Sequence, residues 1–439
     1  MKFSNLPLSL TDMSAPVIGI ASRTQTPKGL RLHIGLFGRR NAGKSSLINA
    51  LTNQKIAIVS DVPGTTTDPV EKACELAPIG PVVFIDTAGV DDVGELGGLR
   101  TERSLAVLGW VDVALIVCDA KALTESELEL IRTVKSTATP TVVVLNKADT
   151  ADAKELIATQ EQVRSLGYEP VTVCASQKLN IDAVREAIVK LAQNAVEPDL
   201  PLLGDLVHPG DTVMLVTPID TGAPKGRMIL PQVQAIREVL DADAKCIVVR
   251  ENRLAETLTN EKEPPAFVVT DSQVVQSVVA QTPKTIPVTT FSIQMAYSNC
   301  DLVEMARGAA MIDFLRPGDK VMICETCSHH PQPDDIGRKK LPRWLAKKVG
   351  GELDIEVVVG KDFPVDLTPY KLILQCGGCV VTRRHMLTRL AQAKRQNIPM
   401  TNYGVAISHL QGVLERALEL HPKALKAFHE AREIFANHF

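Results

Sequence analysis

Gly38-Arg39-Arg40-Asn41-Ala42-Gly43-Lys44-Ser45 stands between the apolar run Leu32-His33-Ile34-Gly35-Leu36-Phe37 and the helix-like stretch Ser46-Leu47-Ile48-Asn49-Ala50-Leu51. Glycines at both ends of the loop, then Lys and Ser, fit the eight-position phosphate-binding pattern in its required setting between strand and helix. The glycines let backbone N–H groups turn inward around a phosphate, and the helix N-terminus adds positive potential. Gly38, Asn41, Ala42, Gly43, Lys44, Ser45 and Ser46 are therefore the expected phosphate contacts. Lys44 would reach the β- and γ-phosphates, and Ser45 would ligate Mg²⁺.

Further motifs follow in order, each after an apolar run. Asp86-Thr87-Ala88-Gly89 follows Val82-Val83-Phe84-Ile85 and should supply a carboxylate behind the Mg²⁺ and a glycine N–H for the γ-phosphate. Asn146-Lys147-Ala148-Asp149 follows Thr141-Val142-Val143-Val144-Leu145. A carboxylate at Asp149 can accept from both N1–H and the exocyclic amine of guanine, and adenine offers no such pair of donors. Cys174-Ala175-Ser176 comes where the Ala175 N–H could donate to guanine O6. Any one of these could be an ordinary turn after a strand; all of them in order imply a guanine-nucleotide-binding GTPase. Lys44 and Gly89 are its candidate catalytic residues within these motifs.

Asp61-Val62-Pro63-Gly64-Thr65-Thr66-Thr67-Asp68 resembles the first switch of the translation-factor-related GTPases, especially the tRNA-modifying and Era-like branches. The resemblance assigns the Mg²⁺-binding, catalytic threonine to Thr66, with Thr65 the alternative. Thr67 stands where those relatives carry Arg. Val90 offers no amide to orient the attacking water. In potassium-activated relatives an Asn at the place of Asn41 helps hold a K⁺, which implies slow, K⁺-stimulated hydrolysis here.

The surrounding sequence reads as α/β. Continuous apolar runs suit parallel strands buried on both faces. The expected organisation is a lead-in over 1–30 and a P-loop GTPase domain over 31–196. Two smaller α/β domains with mainly parallel sheets follow, over 203–284 and 285–439. The second holds the runs DTVMLV, KCIVV, AFVVT and IPVTTF, with a boundary near Thr282-Pro283-Lys284. The third holds KVMIC, DIEVVV, KLILQ and IPMTN, a basic helix over 338–348 and a long C-terminal helix.

The chain has 439 residues, 45% hydrophobic and 23% charged, with a formal net charge of −3. That balance gives no electrostatic reason to expect nucleic acid or an anionic membrane as partner. No apolar run approaches the ~18 residues that span a bilayer. The N-terminus is a poor export signal, so a cytoplasmic, reducing setting is expected for the nine cysteines.

Four cysteines group late in the chain: Cys324-Glu325-Thr326-Cys327-Ser328-His329-His330 and Cys376-Gly377-Gly378-Cys379. Each pair lies near the end of an apolar strand, where neighbouring parallel strands bring their loops together. Spacing alone leaves two main readings, ahead of a catalytic dithiol, for which neither pair has a thioredoxin-like context. One is a four-Cys zinc site. The other treats Cys324 as the buried end of its strand and uses Cys327, Cys376 and Cys379, with His329 or a carboxylate such as Glu325 as a weaker fourth ligand. That set favours an iron–sulfur cluster with an exchangeable iron.

Taken together, GRRNAGKSSLINAL, the middle α/β unit, Cys-Ser-His, Cys-Gly-Gly-Cys and TNYGVAISHLQG resemble the HydF family, GTPase maturation factors of [FeFe]-hydrogenase. That family's pattern is Cys-x-His, then His-Cys-x-x-Cys. Cys327, His329, Cys376 and Cys379 match it, and Gln375 stands where it has His. The resemblance implies a [4Fe–4S] cluster and a scaffold that carries a two-iron precursor to apo-hydrogenase. It further implies two radical-SAM maturases as partners and a homodimer through the middle domain. The competing expectation is a tRNA-modification or ribosome-assembly GTPase with a zinc-stabilised accessory domain.

Overall fold

The computed structural model describes residues 29, 31–52, 70–89, 104–137, 139–195, 200–204, 206–218, 228–326, 335–361 and 363–437. Thr65, Thr66, Thr67, Val90, Cys327 and His329 lie outside the described residues, as does the lead-in apart from Gly29.

The first sheet has β1 (Leu32–Phe37), β2 (Val70–Leu76), β3 (Gly80–Asp86), β4 (Val113–Asp119), β5 (Thr141–Asn146) and β6 (Val171–Thr172), in the order β2-β3-β1-β4-β5-β6. Every residue of β4 is buried, as an apolar run in a two-sided sheet requires. Helices Lys44–Thr52 and Ile181–Ala195 cover one face with Leu47, Ile48, Val184 and Ile188. Helices Glu125–Ser136 and Ala153–Ser165 cover the other with Leu130, Ile131, Val134 and Val163. Helix Glu125–Ser136 starts where it does because Thr124 and Glu127 form a reciprocal capping box. β2 was not expected. It pairs antiparallel with β3 as an edge strand; Glu71 and Glu75 lie on one face and Lys72 on the other, and these charges broke the apolar signal.

The second sheet has β7 (Thr212–Val216), β8 (Lys245–Val249), β9 (Phe267–Thr270) and β10 (Val288–Thr290), parallel, in the order β10-β9-β7-β8. β10 lies beyond the boundary expected at 284. The Thr282-Pro283 punctuation ends the helix Val275–Gln281 and does not end the unit. The third sheet has β11 (Lys320–Glu325), β12 (Asp354–Val359), β13 (Leu372–Gln375) and β14 (Met400–Asn402), also parallel, in the order β12-β11-β13-β14.

Helix Phe291–Asn299 joins the last two units, turning Phe291 and Met295 to the second core and Ile293 and Ala296 to the third. Among the described residues no helix is long and apolar enough to cross a membrane. In the first and third sheets the strand order reverses beside a central strand, β1 and β11. The crevice beyond the C-terminal strand ends at such a point is where open α/β sheets bind ligands.

Candidate functional site

At the C-terminal edge of the first sheet, β1 runs into the phosphate loop. Gly38 has φ +144, and a side chain there would meet the Val117 carbonyl at 2.2 Å. Lys44 is 8% exposed and folds back to donate to the carbonyls of Gly38 and Arg39, both at 3.0 Å. The Ser45 hydroxyl donates to Asp86 at 2.9 Å, bringing together the hydroxyl and carboxylate expected around Mg²⁺.

The side of the cleft expected to meet the base is built around Asn146. Its amide donates to the Ala42 carbonyl at 2.9 Å and its carbonyl accepts from the Ala175 N–H at 3.0 Å. One buried side chain therefore ties the phosphate loop to the two segments that should face guanine. The Asp149 carboxylate accepts from the Cys174 thiol at 3.0 Å and from Gln177 at 3.3 Å. Asn41, Gly43, Lys44, Ser45, Ser46, Asn146, Lys147 and Asp149 line one cleft of about 410 Å³, together with Thr150 and Ser176. Gly89 follows β3 at the same edge, three residues beyond Asp86.

The motif reading missed Arg39 and Asp119. Asp119, the last residue of β4, pairs with Arg39 at 3.2 Å and with Lys147 at 3.3 Å, and Arg39 also approaches buried Glu127 at 3.4 Å. Burial works against the Asp119 carboxylate, but the Lys121 N–H, Lys147 and Arg39 outweigh it and hold the carboxyl below its ordinary value. The signal available in the sequence was position: Asp119 ends an apolar strand just as Asp86 and Asn146 do.

At the C-terminal edge of the third sheet, β11 and β13 are neighbours, with Cys324 in register with Gln375. Cys324 is fully buried, its carbonyl accepts from the Cys376 N–H at 2.9 Å, and burial pushes its thiol up to about 12. It packs into the core of the third unit. The Cys376 sulfur lies 3.2 Å from the Thr326 N–H and 3.1 Å from the Thr326 hydroxyl. Burial, then neighbouring Cys376, pushes the Cys379 thiol up to about 11. Such a thiol keeps its proton unless a metal ion displaces it.

Gly378 has φ +70, and a side chain there would meet Met386 Sδ at 2.8 Å, so the turn between the two thiols favours glycine. Glu325, named above as a possible fourth ligand, is 3% exposed and engaged by Arg338 at 2.9 and 3.1 Å. Among the described residues no three His, Cys, Asp or Glu side chains gather as a metal site. Donors aimed at the Cys376 sulfur and two thiols on a glycine turn are nevertheless chemistry that a thiolate-held cluster uses.

Residues 202–299 match the hydrogen maturase F dimerization domain, and residues 303–420 match the hydrogen maturase F tetramerization domain. This chain belongs to the hydrogen maturase F, or HydF, family. Residues 33–147 of this HydF chain match the domain described as a 50S ribosome-binding GTPase. The N-terminal unit is a P-loop GTPase domain, with the further parallel α/β units described above behind it.

Over that unit the chain is 38% identical across 167 residues to the tRNA modification GTPase MnmE of Trichormus variabilis, covering 37% of this chain and 34% of that protein. It is 34% identical across 172 residues to the GTPase Der of Wolinella succinogenes, covering 37% and 36%. The chain thus spans about a third of the length of the curated relatives it matches. Among solved structures, Era of Aquifex aeolicus bound to GDP and AlF4⁻ is similar at a TM-score of 0.34 and 17% identity, covering 75% of this chain and 92% of that one.

Proposed function

We propose that this HydF-family chain is a GTP-hydrolysing scaffold that carries a [4Fe–4S] cluster during [FeFe]-hydrogenase maturation. It would hold the cluster on Cys327, Cys376 and Cys379 and deliver the two-iron subcluster precursor to apo-hydrogenase. Two radical-SAM maturases would be its partners in the cytoplasm, and a homodimer through the middle unit its working form. The domains would divide near 31–196, 203–290 and 291–439.

The observation that carries this reading is the pair of hydrogenase-maturase domain matches lying over a sheet whose switch point holds Cys376 and Cys379. When bound, the cluster supplies an iron able to exchange its ligand, since three thiolates anchor the rest. His329 is the candidate for that labile position. On the nucleotide side, Ser45 and Thr66 would ligate Mg²⁺ and the Lys44 ammonium would leave the carbonyls of Gly38 and Arg39 for the phosphates. Asn146 and Ala175 would frame the guanine. Asn41, exposed with φ 59 at the rim of the cleft, would take part in K⁺ binding. Replacing Na⁺ by K⁺ should then speed hydrolysis, and Asn41→Ala should abolish the difference; equal rates in both salts remove the K⁺ role.

The central test is anaerobic reconstitution of the full chain, followed by iron and sulfide analysis and EPR. Alanine at Cys327, Cys376 or Cys379 should lose most of the iron, whereas Cys324→Ala should retain it. A colourless protein that takes up zinc would overturn the cluster reading. Loss of iron from Cys324→Ala as complete as from Cys376→Ala would mean a closed four-cysteine site.

A further inference from the structure

Gln375 ends β13 immediately before Cys376 and is fully buried. Its side-chain oxygen accepts from Arg389 Nη1 at 3.0 Å. A guanidinium has donors and no acceptor, so the amide must turn its oxygen to Arg389 and its NH₂ the other way. On that other side lie the Cys376 sulfur at 3.5 Å, the Cys376 carbonyl at 3.4 Å and the Cys324 carbonyl at 3.5 Å. Arg389 is 2% exposed and is itself fixed by a second bond, Nη2 to the Gly360 carbonyl at 2.9 Å, and by the Phe363 ring 5.0 Å away.

We propose that Gln375, oriented by Arg389, donates an N–H to the Cys376 sulfur and sets the reduction potential of the cluster that this sulfur binds. Arg389 acts through Gln375 and is a positioning residue. The inference rests on the iron–sulfur reading above. Its physics is that of the shell around metal-bound thiolates. An N–H aimed at a ligating sulfur favours the more negative, reduced cluster, and so moves its potential upward.

Thr326 supplies a backbone N–H and a hydroxyl to the same sulfur from the β11 side. Gln375 adds the third donor from the β13 side, and its direction is imposed by a charged group. A buried cation behind the amide acts with the same sign, because it too favours added negative charge, and the low local dielectric strengthens the effect. Cys324 enters only through its carbonyl, which competes with the sulfur for the same NH₂.

The test uses the full chain, reconstituted anaerobically, with Gln375→Met and Gln375→Glu. The methionine keeps the volume and removes the donor. The glutamate keeps an oxygen for Arg389 but turns a second oxygen toward the sulfur. Midpoint potentials from EPR-monitored redox titration are read beside iron and sulfide content. Both variants should hold the cluster at a more negative potential than the parent, Gln375→Glu the more so. An unchanged or more positive potential in both variants overturns the role of Gln375 while leaving the cluster reading intact. Loss of the cluster from both makes Gln375 a structural residue and overturns it as well. A parent that takes up no iron and sulfide overturns the cluster reading, and this inference with it.

Discussion

The Lys361 ammonium stands 3.4 Å from the centroid of the Trp110 ring, and that contact joins the third unit to the nucleotide-binding one. Lys361 follows β12, whereas Trp110 precedes β4 and is 8% exposed. The joint is broader than one pair. Lys361 also forms an ion pair with Glu71 on β2, His385 stacks on Trp110 with centroids 6.3 Å apart, and Arg384 donates to Thr139 at 3.0 Å. Thr382, which caps the helix Arg383–Arg395 through the His385 N–H, reaches the Trp110 carbonyl at 3.5 Å.

Lys361→Met should loosen this joint. A cation over an indole face contributes ~0.5–1 kcal/mol at exposed sites and ~2 kcal/mol or more when desolvated. The variant should therefore lower the melting temperature by a few degrees and raise the rate of proteolysis between the units. An unaltered melt and digestion pattern would show that the contact contributes nothing.

The same joint makes stability pH-dependent. Burial first, then the charges of Arg389 and Lys361 and the neighbouring His33, lower the His385 pKa to about 2. The unfolded chain binds the proton near 6.5, so the unfolded state holds more protons between about 2 and 6.5. Stability is then full above pH ~6.5 and falls as pH drops below it, by at most ~1.4 kcal/mol per unit from this residue. Thermal melts at pH 7 and pH 5 should show a smaller loss for His385→Gln than for the parent. Equal losses would mean that His385 does not titrate on unfolding.

At the side of the cleft expected to meet the base, Asp149→Asn should weaken GTP binding and favour xanthine nucleotide, whose C2 carbonyl accepts from the new amide. A lost buried polar match costs at least ~1–3 kcal/mol. Cys174→Ala removes the thiol that donates to Asp149 at 3.0 Å and should weaken GTP binding by several-fold, with Cys174→Ser restoring it. Calorimetric titration with the two nucleotides decides both, and unaltered GTP affinity in Asp149→Asn would take Asp149 out of the site.

Gly43 has φ +95, and a side chain there would stand 2.2 Å from the Asn146 amide. Gly43→Ala should therefore displace Asn146, abolish measurable nucleotide binding and destabilise the unit by ~1–3 kcal/mol, the cost of strain at such a position. Near-normal GTP affinity in this variant would mean that the Asn146 tie is dispensable.

Much of this architecture could be read from residue order, because buried parallel strands leave unbroken apolar runs and phosphate loops need glycine at set places. Val113-Ala114-Leu115-Ile116-Val117-Cys118-Asp119 could hardly be anything else. What escaped were features of the surface and of long-range pairing. β2 carries charges on both faces, so its strand character lies in pairing with β3 rather than in composition. Arg39 and Asp119 are far apart in sequence and belong to no shared motif. Gln375 read as a missing histidine; only its placement between Arg389 and the Cys376 sulfur gave it a chemistry of its own.

β4 has one more consequence. At its start the chain leaves Trp110 and Asp112, and Asp112 accepts from the backbone of His33 at 2.7 Å. At its finish Asp119 pairs with Arg39 of the phosphate loop and with Lys147 of the Asn146–Asp149 segment. Between these ends lie only buried residues, hydrogen-bonded to a neighbour on either side. Such a strand is a strut, stiff along its length and with no loop to absorb a displacement. Tension applied at the nucleotide end would be felt first at the tryptophan on which the cysteine-bearing unit rests.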